Sequence, residues 1–158
     1  MKKYSLEIKW GLIFVAMMLI WMLGERLAGL HDENIHLHAI YTNFIMIPAI
    51  AVYVFALLEK RRVAYNGVMT YKQGFISGLI ITAVVTVISP LTQIITSLVI
   101  TPEYFENVIA YTVSEGIMTE EAARAEFNLQ NYIIMSAVSA PILGLVTSAL
   151  VAIFTRKK

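Results

Sequence analysis

The segment LHDENIHLH, residues 30–38, carries side chains of the types that bind divalent metal ions. Its potential ligands are two carboxylates and three imidazoles: His31, Asp32, Glu33, His36 and His38. On a helix His31 and His38 share a face, because they are seven residues apart, whereas His36 lies off that face. The segment has no H-E-x-x-H spacing or other zinc signature. The sequence therefore offers His31, His36 and His38 as candidate metal ligands, although it favours a polar connector that happens to be rich in histidine.

A second group of polar side chains interrupts the apolar part of the chain. Its members are Ser89, Thr92, Gln93 and Asn131. A proline inside a helix leaves a carbonyl without its usual N–H partner, so the neighbourhood of Pro90 predicts a place where a substrate path could run. The alternative is hydrogen bonding between packed helices, which is common in membrane bundles.

Ionisable side chains are scarce in the apolar segments. Proton-coupled transport generally uses an acid or base inside the membrane, and none occurs in the second, third or fourth apolar segment. Glu25 and Arg26 are the only such pair near the hydrocarbon, and we expect both to reach the outer headgroup layer. The chain has no cysteine, which excludes disulfides and thiolate catalysis. We find no catalytic signature, and we predict neither an enzyme nor a cofactor.

Long apolar segments define the predicted fold. Hydrophobic residues make up 58% of the 158 residues, and residues 39–58, 74–101 and 128–155 carry no charge. A helix needs roughly 20 apolar residues to cross about 30 Å of hydrocarbon. We predict an all-α, polytopic membrane protein with a single domain over the whole chain. Its transmembrane helices are predicted at about residues 9–30, 39–58, 74–100 and 129–154.

The first apolar segment is the shortest, because Glu25 and Arg26 interrupt it. A cleaved signal peptide is the alternative for this part of the chain. Glu7 in the charged region and the poor cleavage site RLAGLHD both favour a transmembrane helix instead.

Positive charges are concentrated on one side of the predicted bundle. Ten of the twelve lysines and arginines lie before the first span, between the second and third, or after the fourth, and the exceptions are Arg26 and Arg124. The positive-inside rule places these regions, and with them both termini, in the cytoplasm. All carboxylates except Glu7 and Glu59 then fall on the other side.

The insert at residues 101–128 separates the third and fourth spans and contains six of the eleven carboxylates. Apolar residues recur at helical spacing before Gly116, and Thr119 followed by two glutamates is typical of a helix start. We predict an amphipathic helical hairpin outside the cytoplasm. Its aromatic side either covers the bundle and the membrane interface or forms a surface for a partner protein. The aromatic residues are Tyr104, Phe105 and Tyr111.

Two small residues, Gly74 and Gly78, lie on one face at the start of the third span. Glycines four residues apart let helix backbones approach closely, either within the chain or between copies. They are therefore candidate contacts of a homo-oligomer.

The chain resembles the domain-of-unknown-function 4199 family of small bacterial inner-membrane proteins. The resemblance rests on KWGLIF near the start, on YKQGFISGLIIT at the opening of the third span, and on the insert TPEYFENVIAYTVSEGIMTEEAARAEF. It covers nearly the whole chain and implies a four-helix fold in the inner membrane, with the outer side facing the periplasm. It implies no particular activity, cofactor or functional residue.

These features together predict a structural or accessory inner-membrane protein. Its acidic hairpin would pack over the bundle or dock a periplasmic partner. The lipid bilayer would surround the four transmembrane helices. The alternative is a small oligomeric transporter or channel that uses the polar group near Pro90. We predict no nucleic-acid partner.

Overall fold

A computed structural model of the chain describes residues 4–157. The α-helices in chain order are α1 (Ser5–Leu27), α2 (Ile35–Tyr41), α3 (Met46–Ala64), α4 (Tyr71–Ile95), α5 (Tyr104–Ser114), α6 (Glu120–Glu126) and α7 (Leu129–Thr155). A 3-10 turn at Thr42–Ile45 joins α2 to α3, and a π-helical turn at Thr96–Ile100 extends α4. Within residues 4–157 there is no β-strand, and a single backbone bridge pairs Met69 with Lys157.

Four stretches of helix are long and apolar enough to cross a membrane. They are Ser5–Leu27, Ile35–Ala64, Tyr71–Ile100 and Leu129–Thr155. The prediction of an all-α chain with four such helices is confirmed. The second stretch begins earlier than the sequence suggested, because the residues of the histidine-rich segment from Ile35 onward already belong to α2.

Small residues allow α4 and α7 to pack closely side by side in antiparallel directions. Gly74 lies against Ala152, Gly78 against Ser148, and Thr82 against Gly144, so each contact is one helical turn from the next. Gly74 and Gly78 are thus buried inside the chain by α7. Association between copies stays a prediction, but this face of α4 is already covered and another surface would have to mediate it.

The half of the bundle nearest residues 69–81 is densely packed. Its core contains buried side chains from three helices and the loop before α4: Tyr53, Ala56, Leu57, Met69, Ile81, Val151 and Ala152. At this same end Glu7 of α1 is buried, and its Oε1 is 2.6 Å from Lys60 Nζ of α3 and accepts a hydrogen bond from Ser77 Oγ of α4 at 2.8 Å. These contacts fix the start of α1 against α3 and α4.

The insert between α4 and α7 contains two short helices that contact each other, α5 and α6. Val108, Ile109 and Thr112 form the buried side of α5. Thr119 caps α6, since its Oγ1 accepts a hydrogen bond from the Ala122 N–H. All six glutamates of the insert are exposed, so its outward side is acidic.

Candidate functional site

A cavity of about 390 Å³ lies between α1, α3, α4 and α7, in the half of the bundle next to α5. Its walls are mostly apolar, with Met18, Met22 and Met46 among them. Hydroxyl and amide groups line its other parts, including those of Ser89, Thr92, Gln93, Ser136, Ser139 and Thr147. Among the described residues, no lysine or arginine lines the cavity. It can therefore accept a molecule that is largely apolar and carries neutral polar groups.

Three of the four residues predicted to mark a polar path line this cavity: Ser89, Thr92 and Gln93. Pro90 deprives the Thr86 carbonyl of its helical partner, but Ser89 Oγ donates to that carbonyl at 3.0 Å. The backbone near the cavity thus has less free hydrogen-bonding capacity than the proline alone suggests.

Asn131 does not line the cavity, and its place on a polar path stays a prediction. Its Nδ2 donates to the Ala125 carbonyl at 2.6 Å. Asn131 is in the first turn of α7, so its amide joins α6 to the start of α7. The polar side chain of Asn131 therefore stabilises the connection between α6 and α7.

At the α5 end of the cavity, the buried Glu25 and His31 and the half-buried His38 form a cluster. His31 Nε2 lies 3.2 Å and His38 Nε2 3.5 Å from the same carboxylate oxygen, Glu25 Oε2. The other oxygen, Oε1, accepts a hydrogen bond from Trp21 Nε1 at 2.5 Å. One possible ligand atom from each of the three residues lies within 4.8 Å of the others. Only 3% of the Glu25 side chain is exposed.

The turn after α1 folds His31 back over Glu25. Gly29 adopts a φ of +72°, a conformation that few other residues adopt easily, and the N–H of Leu30 donates to the Glu25 carbonyl at 3.0 Å. Asn34 closes the turn by donating from its backbone N–H to the Gly29 carbonyl at 2.7 Å. α2 begins immediately afterwards and places His38 beside the other two residues.

Aromatic rings from α5 and α7 cover the cluster. The rings of Tyr104, His31 and His38 lie with each pair of centroids 5.2 Å apart. Tyr104 Oη is 3.5 Å from His38 Nδ1 and 3.5 Å from Tyr132 Oη. Burial raises the pKa of Tyr104 well above its ordinary value, and the nearby Tyr132 and Glu25 act in the same direction, so its hydroxyl stays neutral.

Tyr104 and Phe105 therefore face the bundle. The ring of Phe105 packs edge-on against Tyr132 with centroids 5.0 Å apart, and Tyr111 is half-buried. Of the two predicted roles for this aromatic side, covering the bundle describes the contacts of Tyr104 and Phe105. The other role, a surface for a partner protein, stays a prediction.

The structure brings together only two of the three predicted histidines and adds a residue that the sequence placed elsewhere. His36 is exposed on α2 and does not belong to the cluster. Glu25 was expected in the headgroup layer, but its carboxylate points at the two imidazoles. One sequence signal could have indicated this: Glu25 has no lysine or arginine three or four residues away to pair with on its own helix.

The fold and the site define a helical bundle with four helices long and apolar enough to cross a membrane, an internal, partly polar cavity, and a Glu–His cluster at one end. The sequence model of the family described as "Protein of unknown function (DUF4199)" matches residues 9–157, and the chain belongs to this family. The resemblance noted from the sequence is thereby confirmed. No curated protein and no solved structure matches the chain.

Proposed function

We propose that the protein is an integral protein of the bacterial inner membrane that binds a small, neutral amphipathic molecule inside its bundle. The observation that carries this proposal is the cavity of about 390 Å³ with apolar walls and scattered hydroxyl and amide groups. Ligand sites in proteins typically measure about 300–1,000 Å³ and combine apolar walls with a few polar groups. The absence of lysine and arginine from the described lining favours a neutral head group such as a glycerol.

The proposed orientation puts both termini in the cytoplasm and α5 and α6 in the periplasm as a helical hairpin. It is supported by the ten cations that flank the densely packed end of the bundle in sequence. In this orientation the cavity occupies the periplasmic half, and the Glu–His cluster lies at its outer end.

Binding is a better description of this arrangement than conduction. Tyr53 and Thr82 meet through a hydrogen bond of 2.8 Å below the cavity, and the Gly78–Ser148 contact closes α4 against α7 beyond it. A transporter or channel, alone or as an oligomer, would have to separate these helices to open a path. The proposal includes no catalytic step.

The test is a pair of phenylalanine substitutions on α7. Ala140 lines the cavity, so the ring introduced by Ala140→Phe would occupy part of the ligand space. Val138, which is 55% exposed on the same helix, provides the matched control Val138→Phe. The probe is a fluorescent short-chain monoacylglycerol added to detergent-purified protein. We expect at least tenfold weaker binding by Ala140→Phe and unchanged binding by Val138→Phe; equal binding by both, or none by the unaltered protein, would contradict the proposal.

The acidic outer side of α5 and α6 supports a second candidate, an accessory role in which the hairpin docks a periplasmic protein. Arg124 is the single cation there, and it pairs with Glu120 at 3.0 Å and Glu106 at 3.5 Å, so the surface keeps a net negative charge. This role requires the hairpin to lie outside the cytoplasm. A reporter fused at Gly116 that is active only in the cytoplasm would exclude it.

A further inference from the structure

We propose that Glu25, His31 and His38 bind a divalent transition-metal ion of the zinc class at the outer end of the cavity. This metal site is separate from the binding of the amphipathic molecule proposed above, because the three metal-ligand atoms converge whether or not that molecule is bound. Two imidazoles and one carboxylate are a donor set that zinc and its neighbours in the first transition row accept.

The distances within the cluster suit one ion shared by three ligands. A tetrahedral zinc ion with bonds of about 2.0–2.1 Å holds any two of its ligand atoms about 3.3 Å apart. The two imidazole nitrogens lie 3.2 and 3.5 Å from Glu25 Oε2. All three ligand atoms lie within 4.8 Å of one another, so the two imidazoles would have to approach each other by up to about 1.5 Å to share one ion.

The negative charge of the buried Glu25 carboxylate also favours binding of a cation. A buried carboxylate is costly unless a positive group compensates it. Within the described chain no lysine or arginine forms an ion pair with Glu25, and the neighbouring Arg26 is exposed. A metal ion would supply the charge while both imidazoles stay neutral. A protonated imidazole is the competing explanation, and it predicts no metal uptake.

The ring and the backbone of His31 are held in place differently. Its ring is buried, and Nδ1 has no hydrogen-bond partner among the described residues, so the protein's own contacts do not use both ring nitrogens. The backbone of the same residue is fixed, because Asn107 Nδ2 of α5 donates to its carbonyl at 2.9 Å. Nε2, which faces Glu25 Oε2, is the proposed ligand atom, and Nδ1 would carry the ring proton in the coordinating tautomer.

Neighbouring side chains orient the proposed ligands. Trp21 Nε1 donates to the second oxygen of Glu25, and Tyr104 Oη lies beside Nδ1 of His38. Such outer contacts fix ligand orientation and typically change metal affinity about 10–100-fold when removed. Since three protein ligands leave a coordination position open, and both imidazoles line the cavity, a bound molecule with a donor atom could reach the ion.

The experiment measures metal binding by the full chain purified in detergent and treated with a chelator. Zinc content is determined after dialysis, and cobalt is titrated while its visible absorption reports a four-coordinate nitrogen and oxygen environment. We expect about one ion per chain for the unaltered protein. His38→Ala and Glu25→Gln should each weaken binding at least tenfold, whereas His36→Ala, which alters an exposed histidine two residues from His38, should leave it unchanged.

Trp21→Phe provides a variant that keeps all three ligands. It removes the donor to Glu25 Oε1 and should weaken cobalt binding about tenfold or more without abolishing the spectrum. Helix content and thermal stability are measured for every variant, so that misfolding is distinguished from ligand loss. No uptake by the unaltered, folded protein would overturn the proposal, as would uptake that His36→Ala removes and His38→Ala does not. Metal is titrated on lipid-free protein and monoacylglycerol on metal-free protein, so the two proposals fail separately.

Discussion

Two buried carboxylates, Glu7 and Glu25, lie near opposite ends of α1 and are compensated in different ways. Glu7 pairs with Lys60 and accepts a hydrogen bond from Ser77, while Glu25 faces two imidazoles and an indole N–H. A carboxylate in a site of low polarity must be matched by positive charge or by hydrogen-bond donors. Each of these glutamates therefore constrains which side chains other helices can place beside it.

At this scale we predict that Lys60→Ala destabilises the protein more than Arg62→Ala. Lys60 is the ion-pair partner of buried Glu7, so its removal leaves an uncompensated charge, which typically costs about 3–5 kcal/mol. Arg62 is exposed two residues further along α3. The measurement is the thermal unfolding midpoint in detergent.

A second substitution tests the physical reason for this effect. Adding Glu7→Gln to Lys60→Ala removes the unpaired charge and should restore part of the lost stability. Equal midpoints for Lys60→Ala and Arg62→Ala would show that the ion pair contributes nothing measurable.

Among the elements, the contact between α4 and α7 sets the architecture of the bundle. Three close pairs, spaced one turn apart on each helix, hold the two backbones together over the packed half. Beyond them the facing residues include Ser89 and Ser136, and the space between the helices becomes part of the cavity. The change from glycine to larger side chains along the helices thus marks the change from packed core to cavity.

We predict that Gly78→Ala disrupts this contact. A Cβ at position 78 would lie 2.6 Å from Ser148 Oγ and 3.2 Å from Ser148 Cα, so both side chain and backbone would have to move. Overpacking of this kind typically costs about 1–3 kcal/mol. Gly24→Ala on α1 is the control, because its Cβ would meet nothing within 4 Å, and it should be neutral or stabilise by up to about 1 kcal/mol.

The unfolding midpoints of these two variants are compared with that of the unaltered protein. Ser148→Gly combined with Gly78→Ala should recover part of the loss, because it removes the two closest atoms. If Gly78→Ala is as stable as Gly24→Ala, the close approach of α4 and α7 at this position is wrong.

The whole molecule has two unlike halves, one densely packed and one enclosing a cavity. The packed half carries the flanking cations of α1, α3 and α7, and the other half is covered by α5 and by the histidine-bearing turn. Under the orientation proposed from the positive-inside rule, the cavity would lie on the side facing away from the cytoplasm.

We predict opposite results for two reporter fusions that test this assignment. Gly67, between α3 and α4, and Gly116, between α5 and α6, both lie in loops with open space around them. Alkaline phosphatase is active only outside the cytoplasm, so it should be active when fused at Gly116 and inactive when fused at Gly67. The reverse pattern would invert the proposed topology and exclude a periplasmic hairpin.

The four long helices, the two helices of the insert and the family could be predicted because the signals for them are local. Charge-free runs long enough to span a membrane, the cap at Thr119 and the helical spacing of apolar residues depend on neighbours in the chain. Ser89, Thr92 and Gln93 were identified for the same reason, since each is a polar residue in an otherwise apolar helix. Asn131 met the same criterion but lies in the first turn of α7 and outside the cavity lining, because a helix N-terminus and a cavity wall select similar polar residues.

The Glu–His cluster could be predicted only in part, because its members come from segments whose arrangement depends on long-range packing. The sequence by itself determined that the chain forms four apolar helices with an acidic, helical insert, since hydrophobicity and charge act along each segment independently. Only the tertiary structure decided that Glu25 points inward, that His38 and not His36 joins it, and that Tyr104 faces the bundle. The physical reason is that side chains of one type favour water, a partner or a cavity according to what the other helices place beside them.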